Sequence, residues 1–246
     1  MADDLYFSKK IIFMTNRSIS VILPYYKEGK STLEGSIKRI GAYLKKRGID
    51  SEIIISQNGT KEKLVINNRA ARLINDPKKG LGIAIKNALK ISRGKYSYFL
   101  SCEVPFELSD LKQILALNKP FDLAIGSKLH PKSVYKISLV RYLPSQILSI
   151  ISQILIPGFS VKDPNGTLFG RTSLLKKYSR QVETNDFFYP TELVYNFLKN
   201  KHEVVEVPIV YIKKGSGSSV RFFSDGLSYL FQIIKLALRE RFRIAP

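Results

Sequence analysis

The chain of 246 residues is 44% hydrophobic, enough for one substantial core; this excludes a disordered polar chain and favours a single domain with appendages over two independent domains. Lys and Arg outnumber Asp and Glu by 40 to 20, a formal charge of +20, which points to acidic partners: phosphates, anionic lipid headgroups or nucleic acid. One cysteine, Cys102, and two histidines, His130 and His202, exclude an intrachain disulfide framework and a Cys- or His-based metal cluster, and suit a reducing cytoplasm.

In chain order, the opening Met1-Ala2-Asp3-Asp4 and the short apolar Ile11–Met14 give neither a signal-peptide core nor a membrane span, which needs about 20 apolar residues; a chain not marked for export is expected. Short apolar runs then alternate with amphipathic, lysine-dotted segments, the pattern of βα units feeding a mostly parallel sheet. Strands are predicted at Ser18–Pro24, Glu52–Ile55, Tyr96–Leu100 and Asp122–Ile125. Helices are predicted at Thr32–Arg47, Leu81–Ser92 and Ser109–Leu117, with Ser109 as the N-cap. After Gly126 a polar basic loop, Lys128–Lys136, reads as mobile rather than packed. It leads into a helix over Leu139–Ile156. The apolar stretch Leu143–Phe159 is broken by Pro144, Ser145, Gln146, Ser149, Ser152, Gln153 and Pro157, which argues against a complete span. A strand over Val204–Ile212, a Gly/Ser hinge over Lys213–Ser219 and an amphipathic helix over Phe222–Arg243 ending in a basic cluster complete the chain.

Four segments carry chemistry. Pro24-Tyr25-Tyr26-Lys27-Glu28 ends the first strand, at the carboxyl edge where α/β proteins bind ligands. Gln57-Asn58-Gly59-Thr60 ends the next, with amides that could bond a ribose or base, or could form an ordinary Asn-Gly turn. Asn75–Gly82 enters a helix: its glycines permit close backbone approach, and Lys78 and Lys79 sit where a diphosphate would meet the helix dipole. Ser101-Cys102-Glu103, with Glu107 beyond, follows a buried strand, where a carboxylate can hold a cation against phosphate oxygens.

Taken together, the order and spacing of these segments resemble glycosyltransferase family 2, in particular its dolichyl-phosphate mannose or glucose synthase branch. Members read about P-A-Y-N-E, D-D-G-S, G-x-G-x-A, L-D-A-D-L and I-G-S-R, against Pro24–Glu28, Gln57–Thr60, Gly80–Ala84, Leu100–Val104 and Ile125–Lys128 here. Arg141 and Ser145 resemble the R-x-x-x-S element, Asp163-Pro164-Asn165-Gly166 a shortened D-x-x-x-G turn, and Tyr189–Leu193 the F-D-x-E-L helix; Glu206-Val207-Pro208 and Ser218–Arg221 match later segments. The resemblance spans Ser18 to the C-terminal helix.

It implies a GT-A fold, a Rossmann-like mostly parallel sheet flanked by helices with a C-terminal amphipathic helix. Residues 1–214 would form the transferase domain and 215–246 a hinge with a membrane-associating helix. The implied reaction is inverting transfer of a hexose from a nucleotide-diphosphate sugar to a polyprenyl (dolichyl) phosphate on the cytoplasmic face of a membrane. Pro24, Tyr26, Glu28, Gln57, Asn58, Lys79, Gly82, Ser101, Cys102 and Lys128 would bind the nucleotide sugar. Glu103, Asp163 and Arg141 would serve catalysis, and Arg141, Ser145, Arg171 and Arg221 the lipid phosphate or diphosphate. One weakly held Mg²⁺ or Mn²⁺ ion would sit on Glu103. Expected partners are the sugar nucleotide, polyprenyl phosphate and an anionic membrane surface, with a membrane protein or a second copy left open and no nucleic acid, since no reading helix accompanies the charge.

Three departures bear on activity. The D-x-D motif reads Ser101-Cys102-Glu103, which leaves one carboxylate; the upstream D-D pair is the neutral Gln57-Asn58; and Lys27 replaces an Asn. The alternative is therefore a catalytically impaired homologue that binds a sugar nucleotide or lipid and regulates or scaffolds a partner.

Overall fold

The computed structural model describes residues 18–26, 28–61, 64–66, 71–104, 106–136, 139–212 and 222–244. In chain order the elements are β1 (Ser18–Tyr25), α1 (Lys30–Lys45), β2 (Asp50–Asn58), β3 (Ala71–Asp76), α2 (Leu81–Ile91), β4 (Tyr96–Phe99), α3 (Ser109–Leu115) and β5 (Leu123–Ser127). Then follow β6 (Val134–Lys136), α4 (Leu139–Leu155), β7 (Thr167–Arg171), α5 (Thr172–Ser179), α6 (Tyr189–Lys199), β8 (Val204–Pro208), β9 (Val210–Ile212) and α7 (Phe222–Ile244).

Seven strands form one sheet in the order β3-β2-β1-β4-β7-β5-β8. All neighbours run parallel except β7, which is antiparallel to both β4 and β5. The apolar runs of β1, β2, β4 and β5 are buried because helices cover both sheet faces. Ile19, Val21 and Leu23 of β1 point to one face, packing with Leu33, Ile37 and Ile40 of α1 and Leu111 and Ile114 of α3. Ile22 points to the other and joins Ile85 and Leu89 of α2, Leu193 and Phe197 of α6, and Ile233, Leu236 and Ala237 of α7.

Several expectations change. The strand expected over Val204–Ile212 is two strands: β8 joins the main sheet, while β9 pairs in parallel with β6 in a separate ribbon. The loop read as mobile is packed, because the Ser133 hydroxyl donates to the Ser127 carbonyl at 2.6 Å and Val134 N–H to the Ile209 carbonyl at 2.9 Å. Ser109 is not an N-cap; it is the first helical residue, and its hydroxyl accepts the Val210 N–H at 2.9 Å. β3 and β7 were not foreseen: β3 is a half-exposed edge strand, and β7 is a short insertion whose partners are remote in sequence. The hinge at 213–219 lies outside the described residues.

The C-terminal helix is half core and half surface. A buried ion-pair cluster fixes it: Arg239 meets Glu192 of α6 and Glu183 at 2.8 Å each, and Glu240 at 3.2 Å, while Lys199 pairs with Glu240. Glu192 and Glu240 are each 1% exposed. Burial alone would raise the carboxyl pKa of both; for Glu192 the bonds from Thr184, Arg239 and Glu183, and for Glu240 those from Lys199 and Arg239, outweigh it and hold the pKa below the ordinary value.

Candidate active site at the carboxyl edge of the sheet

Strand register decides which residues can meet. Tyr25 lies opposite Gln57, Ile22 opposite Phe99, Phe99 opposite Leu168 and Thr167 opposite Gly126. The segments after β1, β2, β4 and β5 and the turn before β7 therefore converge on one edge of the sheet, where a doubly wound fold opens a crevice.

At one end of that edge, Lys79 Nζ stands 5.0 Å above the Tyr26 ring, a cation–π distance. Gly59 adopts φ 72°, and a Cβ there would lie 3.0 Å from both Tyr26 and Lys79, so glycine is needed for conformation and for space. The Asn58 side-chain amide donates to the Gly80 carbonyl at 2.6 Å, and the Gln57 side-chain oxygen accepts the Leu64 N–H at 2.8 Å. Both amides are buried and brace loops. Pro24 is half-buried within β1, opposite Ser56.

The second half of the glycine loop behaves differently from the phosphate cradle expected. Gly82 N–H donates to the Asn185 carbonyl at 3.0 Å, and a Cβ on Gly82 would lie 2.7 Å from the Tyr189 ring and 2.9 Å from Asn185 Cα. Close backbone approach is what this glycine provides, but to the segment before α6 rather than to an open phosphate site. Lys86 holds the same segment, donating to the Val182 carbonyl and Asn185 Oδ1 at 2.8 and 2.9 Å.

Beyond β4 the chain makes a tight sequence of turns in which Cys102, Val104, Phe106 and Leu108 are buried and Ser101, Glu103 and Glu107 are exposed. Val104, Glu107 and Leu108 all have positive φ, 48°, 48° and 59°; for a β-branched residue such as Val104 that is a strained conformation, held by burial of its side chain. Glu107 is turned to Arg39, with both oxygens 3.0 Å from Nη1. The Glu103 carboxylate makes no ion pair among the described residues, and its N–H donates to Ser101 Oγ at 3.4 Å. Cys102 donates its thiol proton toward Glu28; burial first, then Glu28 and Glu103, push that thiol pKa well up. Glu28 also accepts the Tyr26 N–H at 2.7 Å, which ties the end of β1 to the turn after β4.

At the other end of the edge, Asp163 is 5% exposed, accepts the Lys128 N–H at 2.7 Å and lies 3.7 Å from its Nζ. Burial raises its pKa, and Lys128 opposes the rise. Glu206, in β8, accepts the N–H groups of Lys162 and Asp163 at 3.0 Å each and so fixes the turn. Asn165 of that turn donates to the Tyr229 hydroxyl on α7 at 2.8 Å, and the same hydroxyl bonds Thr191 on α6. Sequence patterns mark Glu206 and Asp163 as positions, but they carry no signal for Tyr229, Asn185 or Lys86, whose partners are remote in the chain.

One expected residue is elsewhere. Arg171 lies opposite Tyr96, at the amino edge of the parallel strands, and pairs with Asp122 at 3.6 Å; antiparallel β7 carries it away from the crevice, so it cannot neutralise a diphosphate there. His202 sits at that far edge too, bridging Asp122 and the Tyr178 hydroxyl at 2.9 and 2.7 Å, a structural role. Ser145 is exposed on α4. Lys27, Arg221 and the Arg141 side chain lie outside the described residues. Among those described, no group of three His, Cys, Asp or Glu could hold a metal ion, and no helix is long and apolar enough to cross a membrane.

Comparison with known proteins agrees with the topology. No protein-family model matches the chain. The chain is 25% identical to a dolichyl-phosphate beta-glucosyltransferase of Saccharomyces cerevisiae, over 89% of this chain and 74% of that protein. Its backbone is similar to mannosyl-3-phosphoglycerate synthase of Rubrobacter xylanophilus, with a TM-score of 0.61 at 15% identity, over 99% of this chain and 80% of that one. Glucosyl-3-phosphoglycerate synthase of Mycobacterium tuberculosis also gives a TM-score of 0.61 at 15% identity, over 94% and 82%. At that identity the structural likeness concerns the fold alone. The chain thus has the GT-A fold, and its motifs together with its yeast relative support a glycosyltransferase of family 2.

Proposed function

We propose that this chain is an inverting glycosyltransferase that moves a hexose from a nucleotide-diphosphate sugar to a polyprenyl (dolichyl) phosphate at the cytoplasmic face of a membrane. Residues 1–214 would be the transferase unit and 215–246 its membrane-associating element. The observation that carries the reading is the convergence on one sheet edge of Lys79 over Tyr26, Glu28 with Cys102, the exposed Glu103 carboxylate, and Asp163 with Lys128. The yeast relative's name supplies the acceptor class.

In this chemistry an acceptor phosphate oxygen attacks the anomeric carbon in line, and the bond to the nucleotide diphosphate breaks with its electron pair leaving on the diphosphate. The acceptor is already anionic near neutral pH, so positioning and charge stabilisation matter more than a general base. Tyr26 and Lys79 would hold the nucleotide diphosphate, with Ser101 beside it. Asp163 would orient donor sugar or acceptor, and its ion pair keeps the Lys128 ammonium at the crevice. Arg141, Ser145 and Arg221 would receive the lipid phosphate, guanidinium forks being suited to phosphate oxygens.

Glu103 is exposed at the edge and, among the described residues, makes no ion pair, whereas Glu107 is held by Arg39; the Cys102 thiol stays protonated. A Mg²⁺ or Mn²⁺ ion would be held at the Glu103 carboxylate only together with substrate, since a single protein carboxylate does not suit an ion retained alone. Such an ion would offset charge on the departing diphosphate.

A second reading, a sugar-nucleotide-binding regulator without turnover, is favoured by that single carboxylate. One experiment separates them: purified chain and membranes are incubated with a panel of radiolabelled nucleotide sugars, with and without Mg²⁺ or Mn²⁺, alongside equilibrium binding of the same donors. Label in the lipid extract supports the transferase, binding without label supports the regulator, and neither sinks both.

A further inference from the structure

Large apolar side chains left in water on one contiguous feature mark a contact, whereas scattered ones do not. Here they gather on two helices that pack against each other, α4 and α7. On α4, Leu143, Ile147, Ile150 and Ile154 are 51 to 70% exposed, at spacings of four, three and four residues that form one stripe. On α7, Leu227, Phe231, Ile234, Leu238 and Phe242 repeat that spacing at 41 to 77% exposure, while Ile233, Leu236 and Ala237 on the same helix are in the core. At about 3.6 residues per turn, exposed Lys235 and Arg241 fall on the two flanks of the α7 stripe. Glu240, an acid on the same helix, is buried in its ion pairs, and α4 carries no Asp or Glu.

An apolar stripe flanked on both sides by cations fits the boundary between acyl chains and anionic headgroups. It suits a second copy poorly, since two such faces, on chains of formal charge +20, would bring like charges together. We propose that the exposed faces of α4 and α7 dock this protein on an anionic lipid bilayer, with the stripes in the headgroup–acyl boundary and Lys235 and Arg241 on headgroup phosphates. The buried ion pairs of Arg239 and the Tyr229 hydroxyl hold α7 to the body, so docking orients the whole molecule. The consequence for the acceptor rests on the transferase reading: Tyr229 touches Asn165, which places the Asp163–Gly166 turn beside the docked helix, where a lipid phosphate would enter.

The test uses the full chain, sedimented with vesicles of phosphatidylcholine alone or with about 30% phosphatidylserine. Binding to the anionic vesicles, weakened by salt, is expected. Phe231→Asp with Leu238→Asp should lower partition by about tenfold or more with an unchanged melting curve, because both side chains are exposed. Lys235→Gln with Arg241→Gln should lower the preference for anionic vesicles by about tenfold. The docking face is overturned if the chain sediments with neither vesicle, if the aspartate variant binds like the parent, or if the chain is a dimer that this variant merely dissociates. Vesicle binding without sugar transfer would refute the acceptor reading and leave the docking face standing; transfer to a short soluble polyprenyl phosphate without vesicle binding would do the reverse.

Discussion

Cys102 and Glu103 are neighbours with opposite fates, because the turns after β4 bury every second side chain. Burial and the nearby carboxylates keep the Cys102 thiol protonated, and a neutral, enclosed thiol is a poor nucleophile. Native protein should therefore resist alkylation by iodoacetamide up to about pH 9, past the ordinary cysteine pKa, and react once unfolded; mass spectrometry reads the difference. Glu103, by contrast, is exposed, where a cation or substrate can reach it. On the transferase reading, Glu103→Gln should lower kcat/KM by about 100-fold with little change in stability, and Ser101→Asp should strengthen metal dependence by adding a second carboxylate; both are measured as initial rates against Mg²⁺ concentration. Equal rates for Glu103→Gln and the parent would remove that residue from the mechanism.

Among the elements, α6 and α7 are joined by charge as well as by packing. Removing Arg239 leaves Glu192 and Glu240 buried with fewer partners, so Arg239→Ala should cost about 3 kcal/mol in chemical denaturation. Because both carboxyls have folded-state pKa values below the ordinary 4.5, their stabilising contribution is complete above that value and is lost as pH falls through the lower folded-state values. Stability should decline with acid in that window, and Arg239→Ala should flatten the decline. The α2 start makes a separate demand. Gly82→Ala would press a methyl group into the Tyr189 ring, with an expected cost of about 1–3 kcal/mol in the same assay.

For the whole molecule, the charge of +20 and the two-helix apolar face give electrostatic and hydrophobic contributions to any membrane contact, and only the first is screened by salt. Much of this organisation is legible in the sequence. Local periodicity gave the parallel core strands β1, β2, β4 and β5 and helices α1 to α4 within a few residues, since apolar spacing reflects which faces are covered. The order of motifs resembles that of glycosyltransferase family 2, and that resemblance implied the GT-A fold. Other features depend on residues far apart in the chain. β3 is too polar an edge strand to stand out, β7 is an antiparallel insertion whose direction sends Arg171 to the wrong edge, and the strand ending at Ile212 divides between two sheets. Gly82 reads in sequence as a phosphate-loop glycine, yet the carbonyl that takes its N–H comes from Asn185, about a hundred positions on. What the sequence by itself determined is which segments are strands and helices and which chemistry their ends carry, because those follow from local spacing and side-chain type. Only the tertiary structure decided whether Lys79, Glu103 and Asp163 share an edge that Arg171 does not, since that depends on strand order and direction, which long-range packing sets.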